Sequence, residues 1–323
     1  MSEVSISEIA QLIREHDDFV LCGHVSPDGD CIGSQLAFAA LLKRMSKRVT
    51  NLLANNDELD YGLLFLSGIK EMIPAADFKG TVGMFVTLDV PTAERMGDAA
   101  AKLHALAPAS LTIDHHLSER AFSDNYIIDS SAASCSLLVW DIARELGFDN
   151  DVDIATCCYT GVLTDTGRFQ YQNTDARALV AAGQMVQAGT DPAYVAREIY
   201  QNRSRQSLAL EARMLNRIEY ICDGQVALSY LLRSDFVETG AQKSDAEPLI
   251  DTLRSVRGIR VACMLRQMGD SVRGSLRAKD DTDVASIASS FGGGGHRAAA
   301  GFTFKGDMDQ ARKSVTASLR EIV

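Results

Sequence analysis

FVLCGHVSPDGDCIGSQLAFAALLKRM, residues 19–45, is the stretch on which the reading of the fold turns. Phe19 to Cys22 is apolar and uncharged, as a strand buried on both faces is. The loop that follows holds Pro27 and Gly29, helical spacing runs from about Gly33 to Met45, and Val49 to Leu53 is strand-like again. Strand, helix and strand in that order make a βαβ unit on a parallel sheet. The rhythm repeats downstream. Val82 to Leu88 feeds a helical segment that Thr92 would cap and that runs towards Leu106, and Leu111 to Ile113 stops at a loop. Ser134 to Leu146 has helical spacing closed by Gly147, and Asp153 to Thr160 reads as a buried helix of small residues.

Further out, strand character is lost from Asp191 to Tyr220, where the sequence is helical and charged as a connector would be. The boundary is expected near residue 215, with a first domain over 1–190, a helical linker over 191–215 and a second domain over 216–323. Val226 to Leu232, Val261 to Leu265 and Ser271 to Leu276 then read as strands, with helices near Asp245–Val256 and Asp283–Ser290. FGGGGHRAAAGF, residues 291–302, interrupts this pattern. The fold class expected is α/β, a parallel-sheet N-terminal domain plus a smaller α/β C-terminal domain.

The bulk properties agree. At roughly 150 residues per domain, 323 residues suit two domains. With 46% hydrophobic and 23% charged residues the chain is neither disordered nor fibrous. A net charge of −11 disfavours long duplex nucleic acid, whose binding needs phosphates neutralised over an extended basic surface. A short phosphate ligand in a local basic pocket is compatible with it. Seven cysteines without regular spacing make neither a disulfide framework nor a zinc pattern. The acidic, amphipathic N-terminus is unlike a signal peptide, and no run is long enough to span a membrane. A cytoplasmic protein without membrane contact is expected, and apolar helices in the first domain leave room for a homodimer.

Four segments carry the chemistry, each read as following an apolar strand: His24-Val25-Ser26-Pro27-Asp28-Gly29-Asp30, Asp89 in TLDVP, Asp114-His115-His116, and Asp165 in LTDTGRF. Taken singly, an aspartate after a strand is usually a cap or turn residue and a lone histidine a hydrogen-bonded loop residue. Together they place three of the six histidines and five aspartates at sheet ends of one domain, where α/β sheets build sites. Asp28, Asp30, Asp89 and Asp165 in one cleft need compensating charge, which two divalent ions supply. Mixed imidazole and carboxylate ligation suits Mn²⁺ better than Mg²⁺, and a metal pair suits in-line displacement at phosphorus. Phosphoester hydrolysis is the reaction these residues imply.

The second domain offers another kind of group. Gly292 to Gly295 lack Cβ atoms, so their amides can approach a phosphate or base closely. His296 and Arg297 follow directly, and Ser275 and Arg277 lie on the preceding strand. The plain alternative for the glycines is a hinge or a tight turn. The substrate-binding set read here is Ser275, Arg277, Gly293, Gly294, Gly295 and His296.

These motifs resemble, in order and over nearly the whole chain, the DHH phosphoesterase family with the DHH-associated C-terminal domain, in its bifunctional nanoRNase and pAp phosphatase branch. HVSPDGD resembles the first motif, Asp89 the second, Asp114-His115-His116 the third and Asp165 the fourth, while GSLRAKDDTDVASIASSFGGGGHRAAAGF resembles the glycine-rich signature. The resemblance implies one metal on His24, Asp28 and Asp89 and another on Asp30, Asp89, His115 and Asp165, with Asp89 bridging. It implies that His116 faces the substrate phosphate or steadies a ligand, that Asp89 is essential to catalysis, and that Asp114 orients the histidine loop. Ser26 stands where many members carry asparagine, and Ala278 where serine is common. The activity implied is hydrolysis of short oligoribonucleotides (nanoRNA) to mononucleotides, or of 3′-phosphoadenosine 5′-phosphate (pAp) to AMP, in a cleft between the domains. The alternatives are a cyclic or linear di-adenylate phosphodiesterase and, from a different class, a non-catalytic nucleotide-binding module.

Overall fold

The computed structural model describes residues 1–56, 59–116 and 121–323, which divide into two compact units between Asn202 and Arg203. In the first unit, β1 (Ser2–Glu3), β2 (Asp18–Cys22), β3 (Arg48–Leu53), β4 (Ile73–Pro74), β5 (Met84–Leu88), β6 (Ser110–Asp114) and β7 (Asn125–Ile128) form one sheet. All its pairings are parallel, in the order β1-β7-β6-β5-β2-β3-β4. Its helices are α1 (Ile6–Glu15), α2 (Gly29–Arg44), α3 (Gly97–Leu106), α4 (Cys135–Glu145), α5 (Val152–Asp165), α6 (Ala176–Gln187) and α7 (Pro192–Tyr200).

The run that opened the sequence reading is β2, and its alternation explains its composition. Phe19 and Leu21 join an apolar layer with Ile32, Leu137 and Val162, while Val20 and Cys22 join the opposite layer with Met96 and Ala100. The chain passes from β2 to β3 and β4 on one side, then returns to β5, β6 and β7 on the other. The order therefore reverses between β2 and β5. Open parallel sheets form sites at such a reversal, past the C-terminal strand ends.

Two boundaries differ from the sequence reading for local reasons. Helix α2 starts at Gly29 and not near Gly33, because the Asp28 carboxylate caps it. Thr92 makes no side-chain cap; Ala93–Met96 form a 3₁₀ turn whose Arg95 carbonyl accepts the Val25 amide at 2.7 Å, and Gly97 with φ of 75° redirects the chain into α3. Ser134, by contrast, caps α4 through its hydroxyl, and Gly147 ends it with φ of 80°.

The second unit holds β8 (Glu219–Ile221), β9 (Val226–Leu231), β10 (Val261–Met268), β11 (Ser271–Ala278), β12 (Gly294–His296) and β13 (Ala299–Lys305), ordered β12-β13-β11-β10-β9-β8. Only β9 and β10 pair in parallel, so the sheet is mixed. Helices α8 (Arg205–Leu215) and α10 (Leu249–Arg254) supply Leu210, Met214, Leu249 and Leu253 to the core on one face. Helices α11 (Val284–Ser290) and α12 (Met308–Ile322) supply Ile287, Val315 and Leu319 on the other, and α9 (Arg233–Thr239) completes the unit. The segment read as a connector is two helices, α7 in the first unit and α8 in the second.

Residues 291–302 do not break the pattern as the sequence reading expected; they form β12, a short turn and the start of β13. A Cβ on Gly293 would lie 2.6 Å from Phe302 Cα, and one on Gly295 2.5 Å from the Ala299 carbonyl oxygen. The chain entering β12 at Gly293, and β12 itself at Gly295, run too close to β13 for side chains at these two positions. Among the described residues no helix is long and apolar enough to cross a membrane.

Candidate metal centre

The exit of β2 is built for close approach. A Cβ on Gly23 would overlap Cys31 Sγ, so glycine lets the first turn of α2 seat against the strand end, where the His24 amide donates to that thiol at 3.2 Å. Ser26 turns the chain with φ of 54°, and Asp28 Oδ1 accepts the amides of Asp30 and Cys31 at 3.1 Å each. Asp30, 1% exposed, accepts the amides of Cys135 at 2.6 Å and Ser136 at 2.9 Å, the first turn of α4. A helix N-terminus favours negative charge, so α4 fixes this carboxylate in place. Helices α2 and α5 meet through glycines: a Cβ on Gly33 would lie 2.6 Å from the Cys157 carbonyl oxygen, and one on Gly161 2.6 Å from Asp30 Oδ1. Asp165 is thereby delivered by the last turn of a helix, which corrects its reading as the end of a strand.

Asp89 follows β5 with φ of 60°, a left-handed conformation that costs a non-glycine residue about 1–2 kcal/mol. That turn aims its carboxylate between two histidines. Nε2 of His24 is 3.4 Å from Asp89 Oδ2 and 3.8 Å from Asp28 Oδ1. Nε2 of His115, just past β6, is 3.4 Å from Asp89 Oδ1 and 3.7 Å from both Asp30 Oδ2 and Asp165 Oδ2. Both rings are set the same way, with Nδ1 on a backbone carbonyl: Val25 at 2.9 Å for His24 and Ala132 at 3.3 Å for His115. This leaves each Nε2 lone pair facing the carboxylates, as metal-binding histidines are oriented.

The donor set fits divalent cations. The 3.4–3.8 Å gaps are longer than hydrogen bonds and close to the roughly 3.0–3.5 Å separating donors that share one ion at bonds of about 2.1 Å. Asp89 Oδ1 is buried and without a hydrogen-bond partner. Burial and the nearby Asp89 charge push Asp30 up to about 7, and burial with the Asp30, Asp28 and Asp89 charges pushes Asp165 well above the usual carboxylate range. Burial also opposes ionisation of Asp89, but the facing imidazoles of His115, His24 and His116 hold its carboxyl well below that range. Four carboxylates thus ionise together only with added positive charge.

His116 Nδ1 donates to Asp114 Oδ1 at 2.8 Å and lies 3.4 Å from Asp89 Oδ1. Asp114 is fully buried, so it orients His116 through this bond. The sequence reading did not single out Cys31, which groups with His24 and Asp89, nor Arg95, whose Nη2 is 3.4 Å from His24 Nδ1. Both sit in ordinary helical patterns, and only the fold reveals their neighbours.

The second set assembles within the second unit. Ser275 pairs with Gly301, which pairs with Gly294; Arg277 pairs with Ala299, which pairs with His296. Directly paired residues share a face, and so do residues two apart along a strand. The side chains of Ser275, Arg277 and His296 therefore stand together, with Gly294 leaving space beside them. Gly293 and Gly295 serve the packing described above.

Comparison with known proteins matches a stretch of each unit to a family description. Residues 18–162 match the DHH family, N-terminal domain, and residues 223–321 the DHHA1 domain. The bifunctional oligoribonuclease and PAP phosphatase NrnA of Thermus thermophilus is 29% identical over 308 residues, 92% of this chain and 88% of that protein. Its namesake from Bacillus subtilis is 26% identical, covering 91% and 92%. A crystal structure of an exopolyphosphatase-related protein from Bacteroides fragilis aligns with a TM-score of 0.88 at 25% identity, covering 98% of this chain and 96% of that one. Matched in order, the chain carries a DHH N-terminal domain followed by a DHHA1 domain.

Proposed function

We propose that this chain is a two-metal phosphoesterase that hydrolyses short oligoribonucleotides to mononucleotides and pAp to AMP. The observation that carries the reading is Asp89, with each carboxylate oxygen 3.4 Å from the Nε2 of a different histidine. One bridging carboxylate between two imidazole-and-carboxylate sets suits two ions. Relatives matched over most of the chain are named as oligoribonuclease and PAP phosphatase, which supports the same chemistry.

In this reading His24, Asp28 and Asp89 hold one ion and Asp30, Asp89, His115 and Asp165 the other, Mn²⁺ being preferred for the mixed donors. When bound, the ions supply a water acidic enough to attack phosphorus at neutral pH and positive charge for the phosphate oxygens. His116, oriented by Asp114, holds a proton at the substrate phosphate; burial opposes its charged form, but Asp114 and Asp89 raise its pKa. Arg277 and His296 bind the substrate's remaining charge, and the Gly294 amide, unobstructed by a side chain, binds phosphate or base. The seven unbridged cysteines support a cytoplasmic setting.

The test is release of phosphate or mononucleotide from pAp, linear and cyclic di-adenylate, RNAs of increasing length and polyphosphate, with Mn²⁺ or Mg²⁺. Turnover of pAp and of two- to five-nucleotide RNA, falling steeply with length, is the expected result. Preference for cyclic di-adenylate or for polyphosphate would replace it.

A further inference from the structure

The first unit carries an arginine that the metal set does not use. Arg95 Nη2 lies 3.4 Å from Nδ1 of His24, yet that ring offers it no lone pair, because the Nδ1–H already donates to the Val25 carbonyl. Among the described residues no carboxylate oxygen comes within 4.0 Å of the Arg95 guanidinium. Arg44 and Arg177 of the same unit, by contrast, each bridge two carboxylates. The position is also fixed. The Arg95 carbonyl holds the Val25 amide at 2.7 Å, Met96 beside it is fully buried, and the side chain itself is exposed. A rigid stretch of backbone thus presents an uncompensated guanidinium at the rim of the metal centre.

We propose that Arg95 is a catalytic residue that binds a non-bridging oxygen of the phosphoester seated at the metal centre. This rests on the phosphoesterase reading above. Four carboxylates offset the charge of two divalent ions, so the negative charge of the substrate needs a cation from elsewhere. The sequence reading drew every such cation from the second unit. Arg95 supplies one from the same backbone that carries His24 and Asp89, with a planar fork of donors suited to phosphate oxygens.

The experiment compares wild type, Arg95→Gln, Arg95→Lys and Arg95→Ala for bound metal and for kcat/KM on pAp and on bis(p-nitrophenyl) phosphate, which has no nucleotide part. Arg95→Gln is expected to keep its metals and to lose about ten- to a hundredfold in kcat/KM on both substrates, the loss of one charge-assisted contact. Arg95→Lys recovers part of it, and added guanidinium ion restores part of the activity of Arg95→Ala. Unchanged kcat/KM overturns the proposal. So does a loss confined to pAp, and so does a loss of metal that excess metal cures, since Arg95 would then only support His24. A wild-type protein inactive on every phosphoester defeats the phosphoesterase reading itself, before any variant is compared.

Discussion

The metal centre of the first unit and the glycine-rich hairpin of the second reach function by opposite means. In the first, charged side chains are buried, and non-glycine residues take left-handed backbone beside the motifs: Ser26, Asp89, Arg168 and Phe169. In the second, the left-handed positions of the hairpin segment are glycines, Gly292 and Gly295, and the polar side chains stand on the face of a sheet. One region therefore depends on charge held against its tendency to escape burial, the other on backbone space. They should fail differently: the first when a charge or a helix contact changes, the second when a single methyl group is added.

The sharpest break in the first region is Asp89→Ala. It removes the one carboxylate among the described residues that faces both His24 and His115. Turnover should fall by at least about a thousandfold, beyond the loss of a single preorganised contact, and bound metal should drop below two ions per chain. Metal analysis with kinetics checks this. Two tightly held ions and full turnover would remove Asp89 from its bridging role.

Next in size is Gly161→Ala, where the added methyl would overlap Ser136 Oγ and sit 2.6 Å from Asp30 Oδ1. Overpacking of this kind costs about 1–3 kcal/mol, and the displaced Asp30 should weaken metal binding as well. Gly183→Ala is the control, a helix glycine with nothing within 4 Å, where alanine should be neutral or stabilising. Urea midpoints and metal titrations on the pair separate a packing effect from a general intolerance of substitution.

These contacts mark the limit of what the sequence disclosed. The parallel first sheet was legible because β2, β5 and β6 are short buried runs, and the metal ligands because they stand beside Pro27, Gly29 and a His-His pair. Asp165 was found as a residue but placed on the wrong element, since a short apolar run looks alike in a buried helix and a strand. Arg95 was not found at all. Its neighbours depend on the Val25–Arg95 backbone bond, which no local pattern encodes. The hairpin was read as an interruption because strand propensity penalises glycine, whereas here the close approach of β12 and β13 requires it.

That requirement divides the glycine run itself. Gly293→Ala should destabilise the second unit by about 1–3 kcal/mol, since its Cβ would meet Phe302 at 2.6 Å. Gly294→Ala, with nothing within 4 Å, should leave stability within about 0.5 kcal/mol of wild type. If the Gly294 amide contacts substrate, the same variant should raise KM without changing the denaturation midpoint. Equal destabilisation by both would mean that the run is held as a whole, and equal silence would return it to a hinge.

The smallest effect tests a surface carboxylate of the second unit, Asp280, which is paired with Arg260 beside solvent and not forced into a core. Asp280 accepts the Thr282 amide at 3.0 Å, the Thr282 hydroxyl, and the Arg260 guanidinium. Burial works against its ionised form, but these donors outweigh it and hold the carboxyl at about 2, down from 3.8. A carboxyl depressed on folding adds stability that is complete above the unfolded value and fades as pH falls from about 4 through about 2. With the side chain 39% exposed, solvent screening limits the contribution to about 1 kcal/mol or less. Asp280→Asn removes the titrating group, so the gap in unfolding free energy between wild type and variant should be widest above about pH 5 and shrink towards pH 2. Contributions from the metal centre cancel in that difference, because the variant leaves it untouched. A gap independent of pH would show that Asp280 acts through its hydrogen-bonding shape alone, and that the contrast between the two regions does not extend to how each responds to protons.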